Sequence, residues 1–218
     1  MSEHALPGGG RIRIRPVTSD DAAALREAWK RLSPVSRHRR FFGSVTALTD
    51  EMVRYLTDVD GTNHIALAAV VDSPDLKTET GVGIARCIRL KDEPAVAEAA
   101  VTVVDEMQGK GVGRLLLQEL AKAACAVGIQ RFRGEGLLDN APLRGLLADL
   151  GIEPRAGDDG TFVFDVDISD VAHATDSPVR RWLRAAVTSL ESLAVLPALP
   201  GIALPWSGRP RDGGDGDG

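Results

Sequence analysis

The 218-residue chain is 44% apolar and carries 26 Lys and Arg against 31 Asp and Glu, a formal net charge of −5. That balance argues against general nucleic-acid affinity, which rewards a basic surface. No apolar run approaches the roughly 20 residues that span a bilayer, and no apolar signal segment opens the chain, so a cytoplasmic protein is expected. Cys87 and Cys125 are the two cysteines, read as buried free thiols, and four scattered histidines suggest no metal site. The length suits one good core plus an appendage.

Residues 1–10 are polar and glycine-rich and read as a disordered start. Arg11-Ile12-Arg13-Ile14-Arg15 alternates strictly, a first strand with Ile12 and Ile14 inward, closed by Pro16. Thr18 to Asp21 offer N-caps for a helix reaching about Leu32, with Leu25, Trp29 and Leu32 on its inner side. Ser33-Pro34 breaks that helix and begins Leu32-Ser33-Pro34-Val35-Ser36-Arg37-His38-Arg39-Arg40-Phe41-Phe42, a short helix with its two phenylalanines buried and its cations outside. Thr49 caps another short helix carrying Met52, Tyr55 and Leu56. Three strands follow over 64–71, 81–90 and 95–104, joined by hairpin-sized turns.

The third of these strands ends in Val101-Thr102-Val103-Val104 and runs into Asp105-Glu106-Met107-Gln108-Gly109-Lys110-Gly111-Val112-Gly113. A helix follows from 112 to about 127, with Leu116, Leu120, Ala123, Ala124 and Val127 on one face and Gly128 as its stop. Strand, glycine-rich turn and helix N-terminus together make an anion site. The first N–H groups of a helix lack intrahelical partners, its dipole adds positive charge, and glycines clear the approach. A further strand over 130–137, a helix from about Asn140 to 150 and a last strand over 161–168 complete the pattern. Beyond it, Val179, Trp182, Leu183, Ala186, Val187, Leu190, Leu193 and Leu196 form one apolar stripe, a helix over 178–196. Docking on its own domain is favoured for that helix over a homodimer or partner contact, and both over a membrane surface. The segment 198–218 is rich in Pro, Gly and Asp and reads as disordered.

Gln108-x-x-Gly111-x-Gly113, set between a β-branched strand and a helix, resembles the signature of the GNAT superfamily of acyl-CoA-dependent N-acyltransferases. The stretch from Leu32 to Phe42 is similar to one in a GNAT branch that includes bacterial protein-lysine acetyltransferases. The resemblance covers residues 11–167, with 168–197 as a helical extension. It implies an α/β (α+β) fold, a GNAT-like mixed, mostly antiparallel central sheet flanked by helices, with an appended C-terminal helix.

The reaction so implied is attack of an amine on the thioester of acetyl-CoA, without a metal. Two physical problems follow. A lysine amine with pKa near 10.4 is only about 0.1% neutral near pH 7.4, a cost of roughly 4 kcal/mol. The developing oxyanion also needs a donor, worth about 3 kcal/mol when well placed. For the second, the resemblance points to the Val103 backbone N–H on a splayed strand, with Val101 and Thr102 lining the pantetheine channel. For the first it points to Glu98, a carboxylate conspicuous in an otherwise apolar strand. Gln108, Gly109, Lys110, Gly111, Val112, Gly113 and Arg114 would hold the phosphates, and Asn140 would add a contact or only cap its helix. One departure stands out: the tyrosine that protonates the leaving thiolate in many relatives would fall at Leu147, and the chain's single tyrosine is Tyr55. Protein lysine is the favoured acceptor. A small-molecule amine and a non-catalytic acyl-CoA-binding module remain the alternatives, separable by Glu98→Gln.

Overall fold

The structure, a computed structural model, describes residues 1–6, 10–41, 47–72, 78–149, 152–157, 160–169 and 192–193. In chain order the elements are β1 (Ser2–Ala5), β2 (Arg11–Pro16), α1 (Ala22–Lys30), α2 (Pro34–Phe41) and α3 (Asp50–Thr57). Next come β3 (His64–Asp72), β4 (Glu79–Arg89), β5 (Val96–Val103), α4 (Val112–Ala126) and β6 (Arg131–Leu137). The described chain ends with α5 (Ala141–Asp149), β7 (Arg155–Ala156), β8 (Thr161–Asp167) and β9 (Ser192–Leu193).

Eight strands lie in the order β1-β2-β3-β4-β5-β6-β8-β7, and β9 adds to β5. Every neighbouring pair is antiparallel except β5 and β6, which are parallel. A parallel pair needs a crossover, and α4 supplies it. The mixed, mostly antiparallel sheet expected from sequence is the one observed.

Strand alternation sorts the side chains onto two faces. Ala85, Cys87, Ala97, Val101 and Val103 join Leu116, Leu117 and Leu120 of α4 in the main core, with Leu143 and Leu147 of α5. The opposite face carries a smaller cluster in which Trp29 and Leu32 meet Leu48, Met52, Val53 and Leu56. Burial pushes the Cys87 thiol up to about 12, so it stays a neutral core group.

Local signals explain most boundaries. The Thr49 hydroxyl accepts from the Met52 N–H at 3.2 Å and starts α3. Gly128, at φ +85°, ends α4 with its N–H on the Cys125 carbonyl. Before α1, Thr18 and Asp21 form a reciprocal capping box around a single 3-10 turn, so the α-helix proper begins only at Ala22.

Two expectations need correction, and a third lies outside the described residues. Ser2–Ala5 is not irregular: it pairs with β2 from Ser2↔Ile14 to Ala5↔Arg11, and Ser2 and His4 reach Glu119. An otherwise exposed sheet edge is covered, and tertiary pairing overrides a weak local preference. The 178–196 helix lies outside the described residues except at Ser192–Leu193, which are extended and hydrogen-bonded to β5. There, an unpaired strand edge outweighs helical periodicity. Burial of Phe41 and Phe42 likewise falls outside what is described. No helix among the described residues is long and apolar enough to cross a membrane.

Candidate functional site

The centre of the site is an edge that the sheet leaves open. β5 and β6 pair only at Val96↔Arg131, Ala97↔Phe132 and Glu98↔Arg133. Past that point β5 stays with β4 as far as Gly83↔Val103, while β6 follows β8 to Leu137↔Thr161. The strands therefore diverge directly after Glu98, and the β4–β5 register runs there without a bulge. The Val104 N–H donates to the Val82 carbonyl at 3.0 Å, toward β4. Alternation then turns the N–H groups of Val101 and Val103 to the opposite side, the diverging edge. β9 takes part of this edge, with Val101↔Leu193 and Thr102↔Ser192.

At the end of β5 the chain makes a 3-10 turn over Asp105–Met107 and enters the glycine segment. Gly109 and Gly111 sit at φ +70° and +84°, the left-handed region that favours glycine. Gly111 is the N-cap of α4, and the first helical hydrogen bond is Leu115 N–H to the Gly111 carbonyl, 3.1 Å. The N–H groups of Val112, Gly113 and Arg114 precede it and present an anion cradle. A Cβ at Gly113 would stand 3.6 Å from Val103, so this turn packs directly on the open strand. Lys110 is exposed and Arg114 half-buried beside the cradle.

The side chain of Gln108 has a different use from the one expected. Its amide donates to the Val103 carbonyl at 3.1 Å and reaches Ser36 Oγ at 3.3 Å. Asp105 accepts from the Ser33 N–H at 3.3 Å, and Ser33 Oγ accepts from the Ser36 N–H at 3.1 Å, capping α2. Glu106 pairs with Arg31, which also donates to the Gly81 carbonyl. The two sequence motifs, some 70 residues apart, are thus one hydrogen-bonded unit. Arg37 stacks on Trp29, 5.1 Å to the ring centre, and donates to the Trp29 carbonyl.

At the start of β5, Glu98 stands opposite Ile88 and beside Arg133, on the sheet face that carries α1 and α3. Burial pushes its carboxyl up to about 7, the nearby Glu135 adds to this, and Arg133 opposes it. Arg133 opposes only partly, because it is taken by Glu93 at 2.6 Å and Asp165 at 2.8 Å. The Tyr55 hydroxyl is raised by burial and feels both Arg86 and Glu98, and its ring lies 5.4 Å from His64. Arg86, buried, donates to the Leu56 carbonyl at 3.0 Å and to His64 Nε2 at 3.1 Å. His64 must accept there, and burial followed by Arg86 lowers it to about 4, so it is neutral.

Tyr55 and Glu135 were not foreseen as neighbours of Glu98. For Glu135 a signal existed: Arg133 and Glu135 alternate with Gly134 and Gly136, whose missing Cβ atoms leave room for Phe164 and Phe162. Asn140 caps α5, accepting from the Leu143 N–H at 3.2 Å. Leu147 is fully buried in the main core, away from any proton-transfer role.

The description "Acetyltransferase (GNAT) domain" matches residues 11–153 of this chain. Acetyltransferase PA5475 of Pseudomonas aeruginosa is 30% identical over 161 residues, spanning 73% of this chain and 84% of that protein. Acetyltransferase Pat of Mycolicibacterium smegmatis is 32% identical over 162 residues, spanning 72% of this chain but 46% of the relative, so the match spans about half of that protein. The crystal structure of the GNAT domain of S. lividans PAT superposes with a TM-score of 0.67 at 30% identity, covering 76% of this chain and 96% of that one. A Salmonella typhimurium structure, yncA with its cofactor acetyl-CoA, shares the fold with a TM-score of 0.54 at 20% identity, covering 76% and 98%. The glycine cradle, the diverging strand pair and these matches agree: the chain belongs to the GNAT family of acetyltransferases.

Proposed function

We propose that the chain transfers an acetyl group from acetyl-CoA to an amine, a protein lysine in preference to a small molecule. The observation that carries this is a carboxyl near pKa 7, Glu98, at the point where β5 and β6 part. Acetyl-CoA supplies a thioester carbonyl: the amine nitrogen bonds to that carbon, the C–S bond breaks, and coenzyme A departs as thiolate. With a thiol pKa near 8.5, that departure needs little help, which fits a buried leucine at position 147.

The chain's own groups divide the remaining work. Glu98, about half ionised at neutral pH, accepts the proton that the ammonium must lose. Val101 lies about 10 Å along the strand from it and Val103 about 17 Å, at the usual rise per residue, so the proton passes through water. The edge-facing N–H of Val103 stabilises negative charge on the carbonyl oxygen. The N–H groups of 112–114 hold the pyrophosphate, with Gly109 and Gly111 shaping the turn and Lys110 and Arg114 adding charge. Gln108 supports the site by fixing the Val103 carbonyl. The lysine preference is supported by the Leu32–Phe42 stretch, which packs against this same turn through Ser36.

Titration calorimetry with acetyl-CoA, with desulfo-CoA and phosphate as controls, tests the cradle, and an acceptor screen follows. Binding with acetylation of lysine substrates, and loss of turnover but not of binding in Glu98→Gln, is the expected result. No binding of acetyl-CoA would overturn the proposal. Retained turnover in Glu98→Gln would remove the base, and transfer only to free small amines would replace lysine.

A further inference from the structure

Resting on the acyltransferase reading of the open edge, we infer that Glu135 is a second carboxylate of the acceptor site. With Glu98 it holds the ammonium of the incoming amine in the slot between β5 and β6 before the proton is removed. The acceptor is thereby specified by charge: an amine that arrives as a cation, as lysine does at neutral pH.

Strand register carries this placement. Glu98 faces Arg133 at the last rung between β5 and β6, and every second residue of a strand shares a face. Glu135, two residues beyond Arg133, therefore lies on the same side of the sheet as Glu98. Gly134 and Gly136 turn to the other side, where Phe164 and Phe162 fill the space that a Cβ would need. Counted on from the last rung, Glu135 stands level with Ala100, about 7 Å along from Glu98 and one residue short of Val101. The β5–β6 ladder stops before that level, so Glu98 stands at the closed end of the slot and Glu135 borders it from β6. The path from Glu98 to the edge-facing N–H of Val103 thus runs past a second acid.

Charge gives that acid a use. An ammonium that leaves water for the slot needs negative charge within reach. Glu98 supplies only about half a charge at neutral pH, because burial and then Glu135 push its carboxyl up to about 7 against the pull of Arg133. Glu135 is itself 8% exposed. Two acids that repel each other across an empty slot are relieved when a cation enters it. The other charged groups of this layer are engaged. Arg133 of β6 is taken by Glu93 and Asp165, and Arg86 of β4 by His64 of β3 and the Leu56 carbonyl. Tyr55, which feels Glu98 from α3, is a phenol that burial keeps neutral.

Acetyl transfer by the full chain to Nα-acetyl-lysine amide, followed from pH 5.5 to 9, tests the assignment. Glu135→Gln should raise KM for the amine about tenfold with acetyl-CoA affinity unchanged. It should also move the acidic inflection of kcat/KM below the parent's, which lies near 7, because a like charge beside Glu98 is gone. Glu135→Asp, which keeps the charge, should keep the inflection. At pH 6 Glu98 is about nine-tenths protonated. The parent should nevertheless bind the lysine amide about tenfold tighter there than the norleucine amide, an arm that requires no variant to fold. Equal binding of the two amides at pH 6 overturns the inference, as does a Glu135→Gln enzyme with the parent's KM and inflection. An inflection that moves while KM stays the same makes Glu135 a tuner of Glu98 and overturns ammonium binding likewise. A parent that neither binds acetyl-CoA nor acetylates any amine overturns the acyltransferase reading itself.

Discussion

The two ends of β5 offer functional groups by opposite means. At the Val103 end they are main-chain N–H groups, set by two left-handed glycines and a helix start. At the Glu98 end they are side chains, tuned by burial and by neighbours drawn from α3, β3, β4 and β6. A backbone site depends on where a Cβ is absent, and a side-chain site on which charges are nearby. Substitutions at the two ends should therefore fail differently.

Glu98→Gln should have the largest effect, a loss of roughly 10² to 10⁴ in kcat with CoA affinity intact. In the parent enzyme the rate should rise with pH through about 7, since the carboxylate must be ionised to accept a proton. The same group has a stability signature. Its folded pKa is raised, so it favours the fold at low pH and loses that contribution as pH climbs from 4.5 to about 7. His64 acts in the opposite sense: lowered from 6.5 to about 4, it stabilises above that window and loses this as pH falls. Chemical denaturation across pH 4 to 8 should thus show Glu98→Gln gaining stability relative to the parent between pH 4.5 and 7, then running parallel. A constant difference would mean that Glu98 is solvated.

Gly111→Val should come next, weakening CoA binding about tenfold or more by displacing the cradle, with turnover at saturation little changed. A β-branched residue at φ +84° also costs about 1–2 kcal/mol in stability. Leu193→Pro probes the β9 rungs on the same edge. If pantetheine uses that edge, losing two rungs of about 1 kcal/mol each should tighten CoA binding, by up to about thirtyfold. Unchanged affinity would place the cosubstrate elsewhere. Asn140→Ala should be the mildest, costing about 1 kcal/mol of stability with CoA affinity unchanged if the side chain only caps α5.

The backbone end was the more legible in sequence. Glycine spacing, a β-branched strand and an amphipathic helix with Gly128 behind it are local signals, and α4 begins at Val112 as expected. Glu98 was visible as an oddity of composition, but its surroundings were not. Tyr55 comes near it through the packing of α3, and strand register sets His64 and Arg86 beside that tyrosine, placements that no local pattern encodes. Asp105 and Glu106, the acidic pair after β5, hold the segments after α1 and before α2 in place, a role that local pattern does not show. β1 and β9 were missed for a related reason, since short edge pairings depend on which backbone groups another segment has left open.

Among the described residues, three rungs between β5 and β6 are all the strand pairing that joins the five strands β1–β5 to the trio β6, β8 and β7. The sheet thus behaves mechanically as two plates sharing a short seam, with α4 packed on the larger one. Widening the slot beyond Glu98 breaks no ladder between the plates, because none was formed there. Amide exchange should report this division, with protection dropping along β5 once the last rung is passed, and a ligand bound in the slot should raise it.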